Sequence, residues 1–317
     1  MKAVLCLFPA LLVLVLGLSV PAAEDDAETT PLRICLNEDL PPFSVTNGKG
    51  SAGFDLMTAQ ALAKRLGRPL AIQWYESKLD AEASSTIEAN ALLSDARCNL
   101  VAGYPLVKDA LGKPGLERAR LPDFAGAQPA DRRRLVELGT LTPTIPYHFA
   151  GFTVVLGGKA KERHIARLAD LDGLNLTVEM GTLGDAILMS FDHGRFVSKI
   201  AHVVPGRGQL FADLESGEAD ATLIPVHRFD AYRIAHPDSK LAPSGYYLPI
   251  GFNMGFVGLA SASPLIEQAN AAIDTMLKDG GLAALASAAQ MTYLPPRQPY
   301  VLDHLTMTDI TNSELSK

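Results

Sequence analysis

Two stretches decide the fold: Leu32-Arg33-Ile34-Cys35-Leu36-Asn37 and, further along, Arg97-Cys98-Asn99-Leu100-Val101-Ala102-Gly103-Tyr104-Pro105. Each is a short apolar run with a cysteine in it or at its head, bounded by turn-forming residues, which reads as a buried strand. Between them, Gly53–Leu66 places Phe54, Met57, Ala61, Leu62 and Leu66 at helical spacing and stops at Gly67. Leu70–Tyr75 returns to strand character, and Ile87–Leu93 reads as a second helix. Strand, helix, strand, helix, strand is the order of parallel strands with helices on the sheet faces, so the spacing predicts an α/β fold.

The rhythm breaks at 105–143, a proline-rich, charged insertion without long apolar periodicity. It resumes with strands at Gly151–Leu156 and Leu174–Glu179, with Ile165–Leu171 a short helix between them. The small-residue turn Gly181-Thr182-Leu183-Gly184 then opens a helix over Asp185–Phe191. Strands follow at His202–Val204 and Ala219–Ile224, with the helix Gly208–Glu215 between them. Phe252–Leu259 is a further strand, and helices over Ser263–Asp279 and Leu282–Ala289 precede a proline-rich tail.

Residues 1–22 read as a cleavable signal peptide, with Lys2, an apolar run and a small-residue exit at Val20-Pro21-Ala22; the competing reading is a retained anchor. They hold one of the 28 basic residues and none of the 35 acidic ones, so the remainder carries −8 against −7 for the whole chain. An acidic chain with one basic triplet, Arg132–Arg134, is poorly suited to nucleic acid or an anionic membrane. Without Cys6 in the signal, Cys35 and Cys98 remain, and an even count in an exported chain argues for one disulfide. A catalytic or metal-binding pair is the alternative, without a CxxC spacing to support it.

Enzyme motifs are weak. Gly206-Arg207-Gly208 is not part of a dinucleotide fingerprint, no GxSxG occurs, and the seven histidines lack metal-ligand spacing. A binding role is expected, with no cofactor of its own.

The ordered motifs Pro-Pro-Phe (41–43), Gly-Phe-Asp (53–55), Asp170-Leu171-Asp172-Gly173, Gly-Thr-x-Gly (181–184) and Ser-Gly-Glu-Ala-Asp-Ala (216–221) resemble the family 3 extracellular solute-binding proteins. Within that family, "LRIC" with its Pro-Phe turn, "RCNLVAGYP" and Pro146-Tyr147 are similar to the periplasmic proteins that accompany PQQ-dependent methanol dehydrogenases, the MxaJ and XoxJ type. The resemblance implies a two-lobed periplasmic-binding-protein fold (type II) with two hinge crossovers, near Thr142–Gly151 and Pro249–Met254. Lobe one is then 32–142 plus 252–294, lobe two 152–248, and 295–317 a C-terminal tail. It also implies a periplasmic location, and either delivery of a small ligand to an ABC permease or docking, as a non-transport accessory, on a quinoprotein dehydrogenase.

In amino-acid-binding members an Arg follows the "AG" strand and an Asp follows the "DA" strand. Here the first segment carries Lys108 and no Arg, and the second continues Ile224-Pro225. The remaining candidates lie at strand ends, where α/β sheets place ligands. Phe43, Trp74, Tyr75, Tyr104, Tyr147 and His148 offer flat faces, core packing being the competing reading. Gly181, Thr182 and Leu183 offer an anion-receptive turn. Lys108, Arg118, Arg120 and Arg132–Arg134 could fold over the cleft mouth. The ligand expected from this set is a carboxylated aromatic such as PQQ.

Overall fold

The computed structural model describes residues 30–77 and 85–304; the expected leader 1–22 lies outside them. The first half runs β1 (Leu32–Asn37), β2 (Asp39–Leu40), β3 (Ser44–Asn47), β4 (Gly50–Ala52), α1 (Phe54–Arg65), β5 (Leu70–Glu76), α2 (Ser85–Ser94) and β6 (Leu100–Pro105). The stretch read as irregular holds β7 (Arg118–Arg120), β8 (Asp123–Phe124), β9 (Leu135–Glu137) and β10 (Leu141–Pro143). Then come β11 (His148–Leu156), β12 (Leu176–Glu179), α3 (Leu183–Ser190), β13 (Ile200–Val203), α4 (Gln209–Ser216), β14 (Ala221–Pro225) and α5 (Val226–Ala235). The chain finishes with β15 (Ala242–Leu259), α6 (Ser263–Lys278) and α7 (Gly281–Ala288).

Side chains on successive strand residues point to opposite faces, and β1 obeys this rule closely. Leu32, Ile34 and Leu36 enter one core with α1, α6 and α7, whereas Cys35 enters another on the far side of the sheet. Cys98 joins Cys35 there, and the two form a disulfide with Cα atoms 5.6 Å apart. The same far face takes Leu121, Phe124, Val136 and Leu141 from the insertion. The insertion therefore packs over the disulfide side of lobe one. Arg132 pairs with Asp123 and Arg134 with Asp95, so these cations neutralise the insertion's own surroundings instead of reaching over a cleft.

β1 lies between β5 and β6, parallel to both, and β12 lies between β13 and β14, again parallel. The two parallel groups join into one sheet through β11 and β15, which run antiparallel to each other. Hydrophobic clusters divide accordingly. One draws on residues from Leu32 to Tyr147 and from Phe256 to Met291, another on Phe152 to Ile250. Where the crossover strands pass between lobes, Gly151 faces Gly251 and the register shifts at the next residue. Gly251 has φ +151°, and a Cβ there would sit 2.0 Å from the Ala150 carbonyl oxygen, so no other residue fits this crossing. Among the described residues, no helix is long and apolar enough to cross a membrane.

Candidate functional site

The Pro-Pro-Phe turn is fixed by the helix it precedes. The first N–H groups of a helix lack intrahelical partners, and at α1 the carbonyls of Pro42 and Phe43 accept those of Phe54 (3.0 Å) and Asp55 (2.7 Å). This aims the Phe43 ring toward the lobe junction. There it meets His227 of α5 at 5.1 Å and His148 of β11 at 5.7 Å between centroids. One ring comes from lobe one, one from a crossover strand and one from lobe two.

His148 is buried and His227 half-buried, and the Nδ1 of each is enclosed without a hydrogen-bond partner. Burial pushes His148 down to about 3, aided by the neighbouring His227. Burial and then the Arg228 guanidinium push His227 down to about 4. Both imidazoles are therefore neutral at pH 7. Each leaves Nδ1 without a partner, while the Leu294 backbone contacts the His148 ring and opposes part of its lowering.

Beside His227, Arg228 clasps Glu179 with two nitrogens, one of them at 3.1 Å, and the Gly206 N–H adds a bond of 3.2 Å. Desolvation pushes the Glu179 carboxyl up, but Arg228 and Gly206 outweigh it and hold it below the ordinary range. Across the junction, burial raises Asp55 to about 7 against a lowering hydrogen bond from Tyr147. The Tyr147 hydroxyl donates to Asp55 Oδ1 at 2.8 Å and accepts the Gly103 N–H at 2.7 Å.

The structure separates the residues expected at the site. Phe43 and His148 converge. Tyr147 is fully buried in the lobe-one core, and Tyr75 and Tyr104 are buried around the disulfide, with Tyr104 Oη donating to the Ala110 carbonyl. Phe43, 3% exposed, lies in the same lobe-one core as Tyr147 and differs from the three tyrosines in meeting both His148 and His227. Trp74 is partly buried against the lobe-one core. Lys108 is exposed and pairs with Asp303 at 3.0 Å, a solvated contact.

The Gly181–Gly184 turn is already occupied. Asp185 Oδ2 accepts the Gly181 N–H at 2.8 Å. The Thr182 hydroxyl caps α3 by accepting the Asp185 N–H at 3.2 Å, and donates to the Glu179 carbonyl at 2.8 Å. A ligand carboxylate on Gly181 and Thr182 would have to displace Asp185. Leu183 is the first residue of α3 and packs against the lobe-two core. Sequence reasoning missed His227 and Arg228. Their one signal is position, directly after a strand end closed by Pro225.

No protein family and no curated protein matches this sequence. Among solved structures, the chain is similar to the unliganded, open L-cystine solute receptor of Neisseria gonorrhoeae. That match has 17% identity and a TM-score of 0.59, and covers 85% of this chain and 96% of the receptor. The second substrate-binding domain of a putative amino acid ABC transporter from Streptococcus pneumoniae matches at 18% identity and TM-score 0.58, covering 82% and 99%. Substrate-binding domain 2 of Lactococcus lactis GlnP, in open conformation, matches at 16% identity and TM-score 0.57, covering 83% and 95%. At these identities the similarity concerns the fold. The chain has the two-lobed architecture of the periplasmic binding proteins.

Proposed function

We propose that this chain is a solute-binding protein that holds a small organic molecule between its lobes and hands it to an ABC permease, acting outside the cytoplasm and without catalysing a reaction. The observation that carries the reading is the convergence of Phe43, His148 and His227 from three separate elements, with two enclosed and unpartnered imidazole nitrogens. Buried polar groups are normally hydrogen-bonded, and orphaned ones at a lobe junction point to a guest that supplies the partner. The similar structures named above are receptors and substrate-binding domains, which supports binding over catalysis.

The ligand this junction favours carries a hydroxyl or amide, which can serve either imidazole tautomer. Free α-amino acids lack their usual partners here: Pro225 ends the strand and Val226 follows it where an Asp is expected, and Lys108 is tied to Asp303. A carboxylated aromatic such as PQQ meets a Phe43 ring already packed on His148 and His227, and loses the Gly181 turn to Asp185.

Titration calorimetry with PQQ, hydroxylated and amide-bearing metabolites, and amino acids tests this reading. His227→Phe, which preserves the ring packing, is expected to weaken the ligand found by at least tenfold. Unchanged affinity in that variant would sink the junction as the site.

A second reading, docking on a periplasmic quinoprotein dehydrogenase, rests on the resemblance of the sequence motifs alone. Surface plasmon resonance against such a dehydrogenase, together with a silent calorimetric screen, would favour it.

A further inference from the structure

Residues 292–303 contact α5 of lobe two, both crossover strands and the loop after β6. At their start, lobe two holds them: Asp230 of α5, 1% exposed, accepts the Thr292 N–H at 2.7 Å and its hydroxyl at 2.9 Å. Leu294 then packs against Phe149 and Val226, and its carbonyl accepts the Phe149 N–H at 3.0 Å. Phe149 belongs to one crossover strand.

The other crossover strand takes over at the next step. Phe149 stands opposite Asn253 in the β11–β15 register, two pairs from the Gly151–Gly251 crossing. The Arg297 guanidinium lies 5.0 Å from the Phe149 ring centroid. Asn253, buried, uses its whole amide on the passing chain. Its Oδ1 accepts the Arg297 N–H at 2.9 Å, and its Nδ2 faces the carbonyls of Arg297 (2.7 Å), Pro299 (3.1 Å) and Tyr300 (3.1 Å).

The far end is anchored in lobe one. Leu302 donates its N–H to the Leu106 carbonyl at 2.9 Å, and its carbonyl accepts the Lys108 N–H at 2.8 Å. This pairs the chain with the loop directly after β6, while Val301 packs against the disulfide-side core. Pro295, Pro296 and Pro299 stiffen the path, so strain entering at one end is passed along and not absorbed.

We propose that residues 292–303 form a built-in strap that limits how far the lobes open, by joining lobe two, both crossover strands and the β6 exit loop in one stiff segment. Asn253 is its central fastening. The strap acts with or without ligand and so stands apart from the identity of the guest.

The test uses the full chain with spin labels on exposed Lys49 of lobe one and Lys161 of lobe two. Asn253→Asp keeps the side-chain volume but turns the donor facing three carbonyls into an acceptor. Amide exchange at Leu302 and Lys108 is expected to rise at least tenfold, and the interlobe distance distribution to widen at least twofold, with α1 and α6 amides unchanged. Faster exchange with an unaltered distribution would make the segment a passenger and overturn the proposal, as would unaltered exchange. A chain ending at Pro296, with both crossover strands intact, is expected to show the same widening, and a narrow distribution in it also overturns the strap.

Discussion

Two buried carboxylates, Asp55 of lobe one and Glu179 of lobe two, are treated oppositely by their partners. Asp55 of lobe one is 2% exposed and has a tyrosine for a partner; Glu179 of lobe two is 4% exposed and has an arginine. Burial alone would push both toward the protonated form. The arginine reverses the outcome for Glu179, whereas the tyrosine moderates it for Asp55, which is left near neutrality. The lobes also differ in cross-linking: lobe one carries the disulfide and the insertion packed over it. The disulfide staples the sheet around β1 and β6, whereas the stretch 152–248 has no cysteine and holds Glu179 in a charged pair with Arg228.

The largest expected effect tests the staple. Replacing Cys35 and Cys98 by Ala removes a link across 63 residues, and the chain-entropy argument puts the loss at about 4 kcal/mol. Hydrogen exchange should report the loss in β1, β5 and β6 and leave β12 and β14 protected; equal loss in both lobes would break the contrast.

Arg228→Ala comes next. Removing one partner of a buried pair strands the other charge, but Arg228 is 38% exposed, so the loss at pH 7 should be about 2 kcal/mol, below the value for fully buried pairs. The paired carboxylate stabilises above its unfolded pKa and ceases to do so as pH falls through its lowered folded value. Denaturant titrations at pH 7 and at successively lower pH should therefore show the variant converging on the parent as the solution is acidified through the lowered Glu179 range.

Asp55→Asn sharpens the comparison from the other side. A carboxyl raised from 3.8 to about 7 binds its proton more tightly in the folded chain, so parent stability declines as pH rises from about 4 to 7. The lowered His148 and His227 act in the reverse direction over the range up to about 6.5, and they are common to parent and variant. Subtracting the two pH profiles isolates Asp55. The difference should shift in favour of the variant by on the order of 2 kcal/mol between pH 5 and pH 7. A flat difference would mean that Asp55 is as well compensated as Glu179.

Lobe one was readable where its pattern is strong. β1, α1, β5 and β6 announce themselves because Leu32, Ile34 and Leu36, or Phe54 and Leu62, recur at the period their element requires. α5 does not: within Val226–Ala235 only Val226, Phe229 and Asp230 are buried, among His227, Arg228 and Arg233, so no apolar stripe marks it. The first half of β15 is broken by Pro243, Gly245 and Pro249, which read as loop and are accommodated at register shifts beside β11. At the site, Phe43 and His148 were visible as strand-end residues. Tyr75, Tyr104 and Tyr147 share that position, and nothing local distinguishes a ring at the lobe junction from one that packs elsewhere in the core. The Gly181 turn differs from its reading for a related reason, since the Asp that occupies it is Asp185, the residue just past the motif.

The two crossover strands also set a timetable for synthesis. The lobe-two cluster spans Phe152 to Ile250 and is complete in one uninterrupted run of chain. The lobe-one core needs Phe256, Ile266, Ile273, Met276, Leu282 and Met291 in addition to residues made before lobe two began. A growing chain therefore presents β1, α1 and β6 long before α6 and α7 exist to cover them. During that interval the middle of the protein can fold while its beginning waits, holding apolar surface that only the last residues can cover.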